Sequence, residues 1–220
     1  MSDKTKTESK AEQRSYTFEI RAEETEQGNI ITGRPIVYNS RTDLGYFDEI
    51  IDQGALDGAD LTDVRFLVNH DKNMIPLARS RRNNGNSTMY LTVDNEGMGI
   101  RVSLDTENNA DAKALYSAVS RGDITGMSFM FYVDGEEWED LESDHPLRRI
   151  KKIGSVVEVS AVTWPAYNST EIYARGKEAL DSARSALENA RQLSAEAVDT
   201  ANNKEELEVL KLKIKILGGN

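Results

Sequence analysis

Between Tyr16 and Tyr173, short apolar runs alternate with turn residues. The runs are FEIRA, NIITGRPIVY, VRFLVNH, MYLTVD, MGIRVSL, ITGMSFMFYV and SVVEVSAVTW. Each has the length of a strand and is rich in β-branched or aromatic side chains, which suit a pleated, half-buried surface. Turn signals stand between them at Gln27-Gly28-Asn29, Asn83-Asn84-Gly85-Asn86 and Asn95-Glu96-Gly97. One helical period interrupts the strands. Asn108–Arg121 sets Ala114, Leu115, Ala118 and Val119 on one face and stops at Gly122. A shorter helix is expected near Gly54–Ala59. The pattern predicts a mainly β domain over residues 15–175 with flanking helices (α+β), built as a sandwich or a closed or nearly closed β-barrel.

The two ends differ from this block. Residues 1–14 hold no Val, Ile, Leu, Phe, Trp or Tyr and predict a disordered arm. Residues 177–217 hold no Pro, Gly or aromatic residue and predict a helical tail. Leu207, Leu210, Ile214 and Leu217 follow the spacing of a heptad seam, so the tail is either a solvated helix or a dimerisation or docking helix. Asn202-Asn203 is expected to divide it in two.

Composition removes several chemistries. There is no Cys, which excludes disulfides, thiolate–zinc sites and a cysteine nucleophile. Two His exclude a three-His metal centre, and no cofactor or metal is called for. Lys and Arg number 27 against 38 Asp and Glu, a net charge of −11 that argues against broad or specific nucleic-acid binding. No apolar run approaches the ~18 residues of a membrane span, and MSDKTKTESKAEQR lacks the apolar core of a secretory signal.

Three polar residues then stand out in otherwise apolar strands. Alternation in VRFLVNH sets His70 at the end of the row Val64, Phe66, Val68. In ITGMSFMFYV the row Met127, Phe129, Phe131, Val133 reads as core, and Ser128 lies opposite, beside Gly126. In SVVEVSAVTW, Glu158 shares a face with Val156, Ser160 and Val162, where a carboxylate is costly to bury without a partner. An imidazole would supply one. Ser, His and a carboxylate together are the parts of an activated hydroxyl nucleophile. Asp71 competes with Glu158 as the third member, and Ser160 competes with Ser128 as the nucleophile. His145 reads as a loop residue.

Residues 30–170 resemble the prohead (capsid maturation) proteases of tailed phages of the HK97 type. The matching stretches are GRPIVYNS, GYFDEIIDQGAL, FLVNHD, LTVDNEGMGIRVSL, RGDITGMSFMF and VVEVSAVTWPAY, in that order. Arg34-Pro35 and Gln53 depart from the family's usual residues, away from the proposed triad. The resemblance implies a serine endopeptidase with a β-barrel fold related to the herpesvirus assemblins. It carries the nucleophile onto Ser128, the base onto His70 and the third member onto Glu158. By analogy with the assemblins, Arg148 and Arg149 are candidate oxyanion donors. The plainer role for both, with Lys151 and Lys152, is to offset the seven acids of Asp134–Asp144, a stretch expected to form a long hairpin loop. The implied substrate is the capsid scaffold protein, or the scaffold region of the major capsid protein, together with the protease itself. The implied place of action is the assembling prohead in the bacterial cytoplasm. The tail would accompany the scaffold or pair two copies. The alternative is a catalytically silent assembly factor built on the same β domain.

Overall fold

The computed structural model describes residues 11–16, 20–26, 28–163 and 177–217. The strands are β1 (Glu12–Tyr16), β2 (Ile20–Thr25), β3 (Gly28–Val37), β4 (Arg41–Asp43), β5 (Asp48–Ile51), β6 (Arg65–Val68), β7 (Ala78–Arg79), β8 (Met89–Asp94), β9 (Gly97–Leu104), β10 (Gly126–Glu139) and β11 (Leu147–Val162). The helices are α1 (Ala110–Ser120) and α2 (Lys177–Leu217).

Hydrogen bonding sorts the strands into two sheets. One is four-stranded in the order β2-β3-β9-β8. The other is seven-stranded, with the path β1-β10-β11-β5-β4 and with β6 and β7 beside β11. The expected closed or nearly closed barrel is not seen among the described residues, where no ladder joins the two sheets. Four register shifts between Met130 and Glu136 bend the β10–β11 hairpin, as bulges do, without closing it. The apolar faces of both sheets instead share one core, in which Ile31, Ile36 and Val102 meet Phe66, Phe129 and Val159.

Local chemistry explains most elements. Asn109 caps α1, its side-chain oxygen accepting from the N–H groups of Asp111 at 3.0 Å and Ala112 at 3.2 Å. The helix buries Ala112, Leu115 and Val119, whereas Ala114, expected on the same face, is exposed. Burying Leu115 and Val119 contributes about 1.5–3 kcal/mol each. The β8–β9 turn requires glycine at position 97, because a Cβ there would lie 2.0 Å from the Ile36 carbonyl oxygen. The helix expected at Gly54–Ala59 is a series of turns. Gly54 and Gly58 take φ of +84° and +77°, which a right-handed helix cannot contain.

Two expectations about the chain ends change. The last part of the predicted arm is strand β1, antiparallel to β10. Residues 1–10 lie outside the described residues. The tail is one helix through Asn202-Asn203, since Asn costs at most about 0.7 kcal/mol per helical position and no Pro or Gly is present. It docks near its start, where Ala183 and Leu187 are buried against Phe47. Farther along, Leu207 and Leu210 are exposed.

The acidic stretch is only partly a loop. Asp134–Glu139 belongs to β10 and lies opposite the basic run of β11, with Glu137 facing Arg149 and Trp138 facing Arg148. Lys151 pairs with Glu137 at 3.2 Å and Arg149 with Glu139 at 3.8 Å. The basic run thus offsets the acids, as the plainer reading of the sequence expects.

Candidate active site

β11 is the spine of the site. Its last third is hydrogen-bonded to β10 on one side, with Ser160 opposite Ser128, and to β6 on the other, with Ala161 beside Val68. Alternation brings Glu158 and Ser160 to one face of β11, and Ser128 to the same face of the neighbouring strand. All three are buried, Ser128 and Ser160 completely.

His70 arrives by a different route from the one alternation predicts. β6 ends at Val68, and Asn69 and His70 take φ of 52° and 58°. This left-handed pair swings the imidazole out of the strand's apolar row. Such a backbone costs roughly 1–2 kcal/mol per residue, less for Asn. Bonds to the end of β11 hold it in place. The Asn69 N–H donates to the Ala161 carbonyl at 2.9 Å. Asn69 Oδ1 accepts the Thr163 N–H at 3.0 Å and its hydroxyl at 3.1 Å, and the His70 N–H donates to Ser160 Oγ at 3.1 Å.

The three side chains converge. His70 Nε2 lies 2.5 Å from Ser128 Oγ, and His70 Nδ1 is hydrogen-bonded to Glu158 Oε1. The Ser160 hydroxyl donates to the other oxygen, Glu158 Oε2, at 2.7 Å. The carboxylate therefore has a partner on each oxygen, which offsets its burial. With Nδ1–H donating to Glu158, Nε2 is free to take a proton from the Ser128 hydroxyl. Asp71, the rival third member, is exposed and accepts the Asn73 N–H at 2.9 Å instead.

A family model described as caudovirus prohead serine protease matches residues 16–183. The chain belongs to this family. The chain is also similar to the bacteriophage T4 capsid assembly protease, gp21, at 13% identity, over 70% of this chain and 99% of that one. The TM-score is 0.34. No protein of curated function matches the chain. No helix among the described residues is long and apolar enough to cross a membrane.

The two arginines expected near an oxyanion are bound to carboxylates. Arg148 is buried, and its nitrogens bond Glu136, Glu12 at 2.6 Å and Glu49 at 3.0 Å. Arg149 pairs with Asp52 at 2.6 Å. Carboxylates engage every nitrogen of Arg148, whereas Arg149 hydrogen-bonds Asp52 through two of its three nitrogens; both arginines serve ion pairs in this arrangement. His145 lies in a loop 3.3 Å from Asp48, outside the triad.

Sequence reasoning missed what lies over Ser128. β1 runs along β10 with Ser15 opposite Ser128, and the Arg14 carbonyl oxygen is 2.6 Å from Ser128 Oγ. The hydroxyl has one hydrogen, so it donates to that carbonyl or to His70, one at a time. Arg14 is itself buried, 2.5 Å from Glu49 and 2.6 Å from Glu12, with its guanidinium over the Phe131 ring. Burial opposes both charges but is outweighed. Glu49 and Glu12 raise the Arg14 pKa above its usual value, while Arg14 and Arg148 bring Glu12 down to about 2. The sign in the sequence was two opposite charges two residues apart, Glu12 and Arg14, in a segment without Val, Ile, Leu, Phe, Trp or Tyr.

Proposed function

We propose that this chain is an active serine endopeptidase of prohead maturation, with Ser128 as nucleophile, His70 as general base and then acid, and Glu158 as the group that orients His70. The observation that carries the reading is the 2.5 Å approach of Ser128 Oγ to His70 Nε2, with Nδ1 bonded to Glu158. In the first step Ser128 Oγ attacks the scissile carbonyl carbon and its proton passes to Nε2. Glu158 stabilises the imidazolium, which returns the proton to the leaving amine. Water then releases the acyl group by the same route.

The substrates on this reading are the capsid scaffold protein, or the scaffold region of the capsid protein, and the protease itself. The family name supports the setting, a prohead assembling in the host cytoplasm. Exposed Leu207 and Leu210 favour the pairing of two copies along α2. The silent assembly factor is disfavoured, since it gives no reason to hold a His in mutual contact with a buried Ser and a buried Glu.

The test is scaffold processing by wild type and by Ser128→Ala. The variant is expected to lose at least about 10³-fold in rate, as triad members do. Equal processing by the two proteins overturns the assignment and leaves the assembly-factor reading.

A further inference from the structure

Strand β1 is positioned as a bound substrate would be. It is the edge strand of its sheet, it adds to β10 in antiparallel register, and it brings one carbonyl to the nucleophile. Strand addition to a sheet edge is a common way to hold an extended peptide, with pockets on alternate side chains supplying specificity. Here the residue whose carbonyl meets Ser128 is Arg14, and its side chain fills a buried site. Glu49, from the far strand β5, receives Nε at 2.5 Å and a terminal nitrogen at 2.7 Å. Glu49 is 1% exposed.

Charge makes the site selective. With β1 in place, two arginines, Arg14 and Arg148, face three carboxylates, Glu12, Glu49 and Glu136. If β1 leaves, Arg14 and Glu12 go with it, and Arg148 remains with Glu49 and Glu136. One carboxylate is in excess in either state, but Glu49 loses both of its bonds from Arg14 and keeps only the one from Arg148 at 3.0 Å. An apolar or acidic side chain entering it would leave a buried carboxylate incompletely paired, which is strongly disfavoured.

We infer that Glu49 selects substrates with an arginine or lysine on the acyl side of the scissile bond, and that Arg14–Ser15 is a self-cleavage bond of this chain. The inference rests on the proposed endopeptidase activity and names its substrate class. In the self-cleavage step Ser128 Oγ bonds to the Arg14 carbonyl carbon and its proton moves to His70 Nε2. The Arg14–Ser15 C–N bond breaks as that proton passes to the Ser15 nitrogen. One water hydrolyses the ester, leaving a carboxylate on Arg14 and a free amino terminus at Ser15. The released segment uncovers the β10 edge for the next peptide.

The experiment uses the full chain and two pentapeptides, Glu-Gln-Arg-Ser-Tyr and the same peptide with Met in place of Arg. Intact mass and amino-terminal sequencing follow the chain, and chromatography follows the peptides. The expected result is a new terminus at Ser15 in wild type, absent from Ser128→Ala. The arginine peptide should be cleaved with a kcat/KM at least about 100-fold above that of the methionine peptide, and Glu49→Gln should reduce that ratio at least about 10-fold. The peptide comparison on wild type needs no variant, so it decides the matter even if Glu49→Gln fails to fold. Ser128-dependent cleavage of peptides or scaffold at other bonds, with no preference for a basic residue, overturns this inference and leaves the endopeptidase reading intact. Absence of any Ser128-dependent cleavage overturns both.

Discussion

The Ser160 hydroxyl donates to Glu158 Oε2 across 2.7 Å, and Ser160 Oγ in turn accepts the His70 backbone N–H at 3.1 Å. One buried hydroxyl thus fixes both the carboxylate and the turn that carries the imidazole. Ser160 acts through these two residues and not as the rival nucleophile that its place in the sequence also allows.

Ser160→Ala should therefore lower kcat on the order of 10-fold to 100-fold while leaving KM for the same peptide unchanged, because the nucleophile remains but its base is misaligned. Steady-state kinetics on one peptide separate the two constants. A KM change at constant kcat would place Ser160 in substrate binding instead.

Asn69→Ala should destabilise the protein by about 2 kcal/mol. It removes the two bonds from Thr163 and puts a residue that disfavours left-handed backbone at φ of 52°. The His70 turn should loosen with it, so activity should fall as well. Urea titration measures the first effect, and peptide cleavage the second. Unchanged stability would mean that the turn does not depend on Asn69.

Arg148→Ala should cost about 3–5 kcal/mol, because it breaks a buried ion cluster and leaves Glu12 and Glu136 short of a partner. Thermal unfolding reads the loss. A variant with wild-type stability and a much reduced kcat would instead restore the oxyanion role that the resemblance suggested for this residue.

Acid should weaken the hold on β1. The Glu12 carboxyl is brought from its ordinary 4.5 to about 2, burial opposing the change and Arg14 and Arg148 outweighing it. A depressed carboxylate contributes stability that is complete above the unfolded pKa and is lost as pH falls through the folded one, here between 4.5 and about 2. Stability of the wild type should fall across that window, and Glu12→Gln should remove part of the dependence. Denaturant titrations of both proteins at pH 5, 4 and 3 check it, the pH values being about those of the window. Parallel curves would dissociate Glu12 from the effect.

Much of this site was legible in the residues. Period-two alternation was enough to separate Ser128 from the Met127-Phe129 row and to set Glu158 and Ser160 on one face, because strand geometry is local and β10 and β11 are regular where these residues sit. The same rule misplaced His70. It assumes that the strand continues, and β6 stops two residues short, at Val68. Asn69 tolerates the left-handed backbone that follows, so the type of residue was visible but the turn was not.

Chain pattern alone determined that this protein is mostly β, where the long strands lie, and which hydroxyl, imidazole and carboxylate could act together. Tertiary structure decided that the described strands sort into two sheets, that Arg148 serves a buried ion cluster, and that a strand from the predicted arm lies across Ser128. The physical reason is range. Alternation and turn propensity act over a few residues, whereas Arg14 meets Glu49 across 35 positions and His70 meets Glu158 across 88, contacts that exist only once distant strands have paired.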